Sequence, residues 1–346
     1  MPTCEKGLCS ICCLGYRHAQ FVEQHIHAIW NGAYKNVEII AVDDGSPDNS
    51  AELLEQMAEK SPFPMTVIAQ ENTGNVGKNF NRAKEKARGE YITFISLDDI
   101  LYLDAISRKI AIMEDNAKIA FVASATYVEI DEDGVACSDI LEMKLHHIAN
   151  PSVDDLLQLE YEHAGSFYIQ GNVFRKDVID AVGGFDEDMT GDDIVLRTKV
   201  FRFIQRHPEY LFKIISEPAC YYRKHPDNIH KIRSRQFRIL TEYLQKYWPD
   251  RENPAMLIHR ALSIIRQMPF EEYMQVFAMN ARAASVLLDP EIQKAIVKSL
   301  RFRWLKRICE KRKLSDGTRK VKLFSCLEFS YRKAEKPPRN QRKPHN

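Results

Sequence analysis

Two strand-like runs that each end in paired carboxylates constrain this chain more than any other feature. The first, Val37-Glu38-Ile39-Ile40-Ala41-Val42, runs into Asp43-Asp44-Gly45-Ser46-Pro47-Asp48. The second, Tyr91-Ile92-Thr93-Phe94-Ile95, runs into Ser96-Leu97-Asp98-Asp99. Short apolar runs rich in β-branched and aromatic residues read as strands buried on both faces of a parallel sheet. In an open α/β sheet, ligands bind in the crevice beyond the carboxyl ends of the strands. Four carboxylates around one crevice repel each other unless a cation sits among them. Hard oxygen ligands suit Mn²⁺ or Mg²⁺, and such an ion suits a diphosphate.

The surrounding pattern supports that sheet. Strands are expected at 8–14, 37–42, 65–68 and 91–96, with helices at about 19–30, from about 50 to 60, and from the 71–77 turn through Ala87. This alternation indicates βαβ units. The second half is less regular. It predicts a strand within 119–130 ending in a turn at 131–134, a helix near 152–160, a strand over 166–174, a helix at 194–206 and a strand at 211–216. From Ile232 onward the pattern reads as helical almost throughout. The expected organisation is one α/β domain over 1–230, a helical region over 231–335 with a basic surface, and a disordered tail over 336–346.

Charge is divided unevenly. Residues 301–346 hold 16 Lys and Arg against 4 Asp and Glu, whereas residues 1–300 hold 33 against 44. A basic tail on an acidic body suits an anionic lipid surface, a nucleic acid or a protein partner. Trp304, Leu305 and Ile308 fall on one helical face among basic residues, as in a helix lying on an anionic membrane. There is no run of 18 apolar residues and no charged-then-apolar leader, so the expectation is a cytoplasmic protein, peripheral to the membrane if the tail binds it. The cluster Cys9, Cys12 and Cys13 has no second Cys/His pair at zinc spacing. It reads as buried strand thiols.

Several shorter segments carry chemistry, each with a plainer alternative. Tyr16 and Arg17 leave the first strand, where an aromatic ring stacks on a base or merely covers the sheet edge. Asp43 and Asp44 suit a base or ribose, or a turn that caps the next helix. Lys78 and Arg82 follow a Gly/Asn-rich turn, a place where phosphates bind, although no Walker pattern is present. Asp98 and Asp99 suit a metal with an open coordination sphere, or a solvated turn. Asp192 and Asp193 precede a helix, as a cap or as a base for a hydroxyl. His225 stands in Tyr222-Arg223-Lys224-His225-Pro226-Asp227-Asn228 as a possible ligand for metal or phosphate.

In order along the chain stand Val42-Asp43-Asp44-Gly45-Ser46, Lys78-Asn79-Phe80-Asn81-Arg82-Ala83, Gly89-Glu90-Tyr91-Ile92, Ser96-Leu97-Asp98-Asp99, Val182-Gly183-Gly184-Phe185-Asp186-Glu187, Asp192-Asp193-Ile194-Val195-Leu196 and Tyr222-Arg223-Lys224-His225. Together, over about residues 7–230, they resemble the family 2 glycosyltransferases of bacterial polysaccharide and lipopolysaccharide synthesis. The resemblance implies the GT-A fold, a mostly parallel central sheet flanked by helices. It implies inverting, metal-dependent transfer from a nucleotide-sugar, a UDP-sugar first among them. The acceptor would be a glycan or lipid-linked hydroxyl in surface polysaccharide synthesis, and the metal Mn²⁺ or Mg²⁺. Under it, Tyr16, Asp43, Asp44, Lys78, Arg82, Ser96 and Asp98 bind the nucleotide-sugar. Asp98, Asp99 and His225 hold the metal, and Gln170, Gly171 and Asn172 face the acceptor. Asp193 is the general base, with Asp192 beside it. Ser96 departs from the family pattern, standing where the first Asp of D-x-D usually lies. The competing readings are a sugar nucleotidyltransferase, which needs a basic glycine-rich loop after the first strand, and a nucleic-acid binder acting through the tail. The acidic body argues against the latter, and no nucleic acid is expected.

Overall fold

The computed structural model describes residues 4–102, 104–226, 232–313, 318–323 and 327–332. Asp227 and Asn228 of the His225 motif lie outside the described residues, as does the tail expected at 336–346. The first half follows the alternation read from the sequence: β1 (Glu5–Gly15), α1 (Ala19–Asn31), β2 (Val37–Asp43), α2 (Ser50–Lys60), β3 (Met65–Ala69), α3 (Val76–Lys86) and β4 (Gly89–Ser96). Next come β5 (Ile100–Leu101), α4 (Ala105–Asp115), β6 (Ile119–Ser124), β7 (Thr126–Ile130), β8 (Ala136–Glu142), α5 (Val153–His163), β9 (Val173–Arg175), α6 (Lys176–Ala181), α7 (Asp193–Arg206), β10 (Leu211–Ile215) and β11 (Cys220–Arg223). Five further helices are α8 (Arg233–Tyr247), α9 (Ala255–Gln267), α10 (Phe270–Phe277), α11 (Ala281–Ser285) and α12 (Pro290–Ile308).

The main sheet has seven strands in the order β10-β6-β9-β4-β1-β2-β3. All its pairings are parallel except those of β9, which is antiparallel to β4 and to β6. Successive side chains of a strand point to opposite faces. On β1 this sends Cys12 and Leu14 into one apolar layer, and Cys9, Ile11 and Cys13 into the other. The three cysteines are fully buried free thiols, as expected. A smaller sheet, β5-β11-β7-β8, lies alongside. The C-terminal helices form a third core with Met189, Ile194 and Val195. They therefore brace the segment that carries Asp192 and Asp193.

Three expectations are corrected. The run 119–130 is two strands in different sheets. Its first half is buried at every position, and its second alternates buried and half-buried. The strand expected over 166–174 is only the short β9, which begins at Val173, because Gly171 at φ +66° breaks the extended run. The region expected to be helical to 335 stops being so at Ile308. There follow β12 (Cys309–Lys313), β13 (Thr318–Leu323) and β14 (Leu327–Arg332), an antiparallel three-stranded sheet. Val321 and Leu323, then Leu327, Phe329 and Tyr331, recur every second residue, which is the strand period. No described helix is long and apolar enough to cross a membrane.

Candidate active site

Three strand ends converge on one buried cluster. His18 lies just past β1, Asp98 just past β4 and His225 just past β11. One ligand atom from each lies within 4.8 Å of the others. His225 Nε2 is 3.0 Å from Asp98 Oδ2, and His18 Nε2 is 3.9 Å from the same oxygen. His18 Nδ1 and Asp98 Oδ1 are buried with no hydrogen-bond partner. Burial would raise the Asp98 pKa, but the His225 hydrogen bond, the His18 ring and the Ser96 hydroxyl hold it down to about 2. Burial lowers the pKa of His18, keeping its imidazole neutral and able to ligate. Two imidazoles and a carboxylate with orphaned buried atoms fit a divalent metal.

This cluster revises the expected metal set. Asp99 is not in it. Successive residues beyond the strand point opposite ways, and the buried Asp99 carboxylate turns inward to accept the Arg223 backbone N–H at 2.7 Å. Burial and the neighbouring Asp98 push its pKa well up. His18 was missed. The signal was its place three residues past the first strand, beside a carboxylate that only the sheet order brings near. Arg223 locks the turn. Its Nε donates to Asp98 O at 2.6 Å, its guanidinium reaches the carbonyls of Asp131 and Glu132, and it lies 4.6 Å over the Phe21 ring. His25 supports the same turn, with Nδ1 at 2.7 Å from Asp99 O.

The nucleotide-side residues divide between exposed and committed. Tyr16 is 41% exposed, with the Arg17 guanidinium 5.4 Å from its ring centre. Asp43 is buried and accepts from both the N–H and the hydroxyl of Ser46, whose Oγ in turn accepts the Arg17 N–H. Asp44 is engaged by the next loop. It accepts from Gln70 Nε2 at 2.9 Å, Thr73 N at 2.8 Å, Thr73 Oγ1 at 3.0 Å and Gly74 N at 3.0 Å. These bonds tie the end of β2 to the 70–74 loop and organise the crevice wall. Arg82 is likewise tied to Gln70 Oε1. The Lys78 ammonium makes no hydrogen bond or ion pair among the described residues, and its backbone N–H is capped by Asn75 Oδ1 at 2.9 Å.

The acceptor-side stretch is also internal. Gln170 Oε1 accepts the Ser96 N–H at 3.0 Å, which ties it to the metal-side turn. A Cβ on Gly171 would sit 2.2 Å from Ala219 O. Asn172 is fully buried between Ser124 N at 2.8 Å and Tyr168 O at 2.6 Å. Gly171 and Asn172 are buried and Gln170 is half-buried, so the stretch ties the metal-side turn to the smaller sheet.

Asp193 opens α7. Its Oδ2 accepts the Ile169 N–H at 3.1 Å and lies 3.4 Å from Arg197 NH1. Arg197 is itself held by the buried Glu160 at 2.7 and 3.0 Å. Burial and the adjacent Asp192 raise the Asp193 pKa to about 7, against the pull of Arg197. Its side chain keeps 27% of its surface exposed. Asp192 occupies the N-cap position of α7 without a regular side-chain cap bond. Burial raises the Asp192 pKa, opposed by backbone hydrogen bonds, Arg197 and Arg235.

The family model for glycosyl transferase family 2 matches residues 10–183. The uncharacterized glycosyltransferase EpsJ of Bacillus subtilis is 25% identical over 288 residues, covering 83% of this chain and 80% of its own. The putative teichuronic acid biosynthesis glycosyltransferase TuaG of the same organism is 26% identical over 154 residues, 44% of this chain and 58% of its own. Among solved structures, TarS of S. aureus in complex with UDP-GlcNAc aligns with TM-score 0.52 and 13% identity, over 94% of this chain and 99% of its own. The mannosyltransferase PcManGT from Pyrobaculum calidifontis, in complex with GDP-Man and Mn²⁺, aligns with TM-score 0.50 and 16% identity, over 86% of each chain. The likeness bears out the GT-A fold expected from the sequence.

Proposed function

Because the chain belongs to glycosyl transferase family 2, we propose that it moves a sugar, with inversion, from a UDP-sugar to a hydroxyl of a glycan or lipid-linked acceptor in surface polysaccharide synthesis. Glycosyl transfer is the general activity of the family, and relatives such as TuaG support the polysaccharide setting. The observation that carries the mechanistic reading is the pairing of two differently tuned carboxylates. Asp98 is held ionised at a metal-like cluster, while Asp193 is lifted to about 7, near the pH at which a base is most effective.

His18, Asp98 and His225 would hold the metal. Two nitrogen donors suit Mn²⁺ better than Mg²⁺, which favours oxygen. When bound, the ion neutralises charge on the departing diphosphate. The exposed Tyr16 suits the base, Asp43 the nucleoside, and the unpaired Lys78 ammonium a phosphate. Asp193 takes the proton of the acceptor hydroxyl as that oxygen attacks the anomeric carbon from the face opposite the diphosphate. A single displacement inverts the configuration. Ile169 N–H and the Glu160-anchored Arg197 fix the carboxylate's direction.

The test is a screen of UDP- and GDP-sugars for nucleoside diphosphate release, with Mn²⁺, with Mg²⁺ and with chelator. Release from one sugar-nucleotide with Mn²⁺ and none with chelator supports the reading. Equal release in chelator would remove the metal from it.

A further inference from the structure

A second cleft, of about 500 Å³, opens against the 187–190 segment that leads to the candidate base. Its walls are the 73–75 turn, the 187–190 turn and the first turns of α8. The helix is seated against the segment leading to Asp192. Glu242 Oε2 accepts the Thr190 N–H at 2.9 Å, and Gly191 lies so close that an added methyl would sit 2.8 Å from Ile239 Cγ2. Residues 235, 239 and 242 share one helix face. Arg235 therefore lies along the same segment, near enough for its charge to act on Asp192.

The acids of this cleft are engaged. Glu242 Oε1 accepts from Arg238 Nε at 2.7 Å. Asp188 accepts from Lys246 Nζ at 2.8 and 3.0 Å, and Glu187 Oε1 from Asn81 Nδ2 at 3.0 Å. Arg235 makes no hydrogen bond or ion pair among the described residues, and its Nε is buried without a partner. A guanidinium stays charged at any working pH, and its planar fork matches phosphate or carboxylate. A buried donor left unpaired is unfavourable, so such a group implies a partner that arrives from solution.

We propose that this cleft binds an anionic group of the acceptor, a phosphate or a carboxylate, with Arg235 as its ligand. The inference rests on reading Asp193 as the base and the strand-end crevice as the donor site. It adds the substrate class: an acceptor that carries negative charge near the hydroxyl it offers. The cleft is separate from the His18–Asp98–His225 cluster, so donor and anion should bind together.

Calorimetric titration of the full chain with glycerol 1-phosphate, glucuronate and glycerol, with and without UDP and Mn²⁺, tests this. At least one anion should bind about tenfold tighter than glycerol, in the presence of UDP as in its absence. Arg235→Gln should lose about tenfold of that affinity, and Arg235→Lys should keep part of it. Thermal melts establish that both variants are folded. The proposal is overturned if neither anion outperforms glycerol, if Arg235→Gln binds them as the unaltered chain does, or if UDP expels them. UDP affinity in the same titrations reports on the donor reading separately. A chain that binds no UDP defeats that reading, while the arms without UDP still decide the cleft.

Discussion

At the scale of single residues, the candidate site separates side chains with open or unpaired polar atoms from those engaged by neighbouring loops. Asp98 and Asp99 are adjacent in sequence but differently placed: Asp98 joins His18 and His225, and Asp99 accepts the Arg223 N–H. Asp98→Asn should reduce turnover by about 10²–10³-fold with the fold intact, since removing a metal ligand forfeits several kcal/mol of charge stabilisation. Steady-state kinetics beside a thermal melt decides it, and near-normal turnover would remove Asp98 from the metal site. Asp193→Asn should lower transfer by about 10²–10⁴-fold while donor binding persists, because the base acts on the acceptor. The pH profile has a definite sign. Asp193 is raised to about 7 and acts only as the carboxylate, so kcat/KM should climb as pH rises through about 7 and level off above it. A flat profile between pH 6 and 8, or equal loss from Asp192→Asn alone, would move the role elsewhere.

At the scale of elements, the crevice depends on joints that carry no ligand. The 170–172 loop ties β4 to the smaller sheet, with Gly171 at φ +66° pressed against Ala219 O. Gly171→Ala should destabilise the fold by more than about 2 kcal/mol, since left-handed strain and a backbone clash add. Chemical denaturation measures this, and a variant as stable as the parent would show that the loop can relax. The C-terminal element invites a different test. Helix α12 runs to Ile308 within the basic stretch, and each basic residue near an anionic surface contributes about 1 kcal/mol. We expect the full chain to sediment with anionic vesicles at low salt and a chain ending at Leu300 not to. Equal sedimentation of the two would end the membrane role of the tail.

For the molecule as a whole, the strand–helix alternation of the first hundred residues was legible because β2 and β4 are apolar runs buried on both faces, β1 is buried over Leu8–Gly15, and the helices between them are punctuated by turn residues. The acidic strand ends were legible for the same reason: polar residues that close an apolar run must lie at the sheet's rim. The second half was harder to read. A twelve-residue apolar stretch at 119–130 does not announce that it changes sheets, and period-two apolar residues among many cations at 309–332 were masked by charge.

The sequence by itself determined the parallel sheet, the buried thiols and the positions of Asp98, Asp193 and His225. These follow from local periodicity and from motif order. Only the tertiary structure decided which carboxylates face the crevice. It set Asp99 against the Arg223 N–H and Asp44 against the 70–74 loop, and brought His18 to a cluster whose members are 80 and 127 residues apart from one to the next. Which way a side chain points past a strand end depends on the partners that reach it. Those partners, Arg223 above all, come from the far end of the domain.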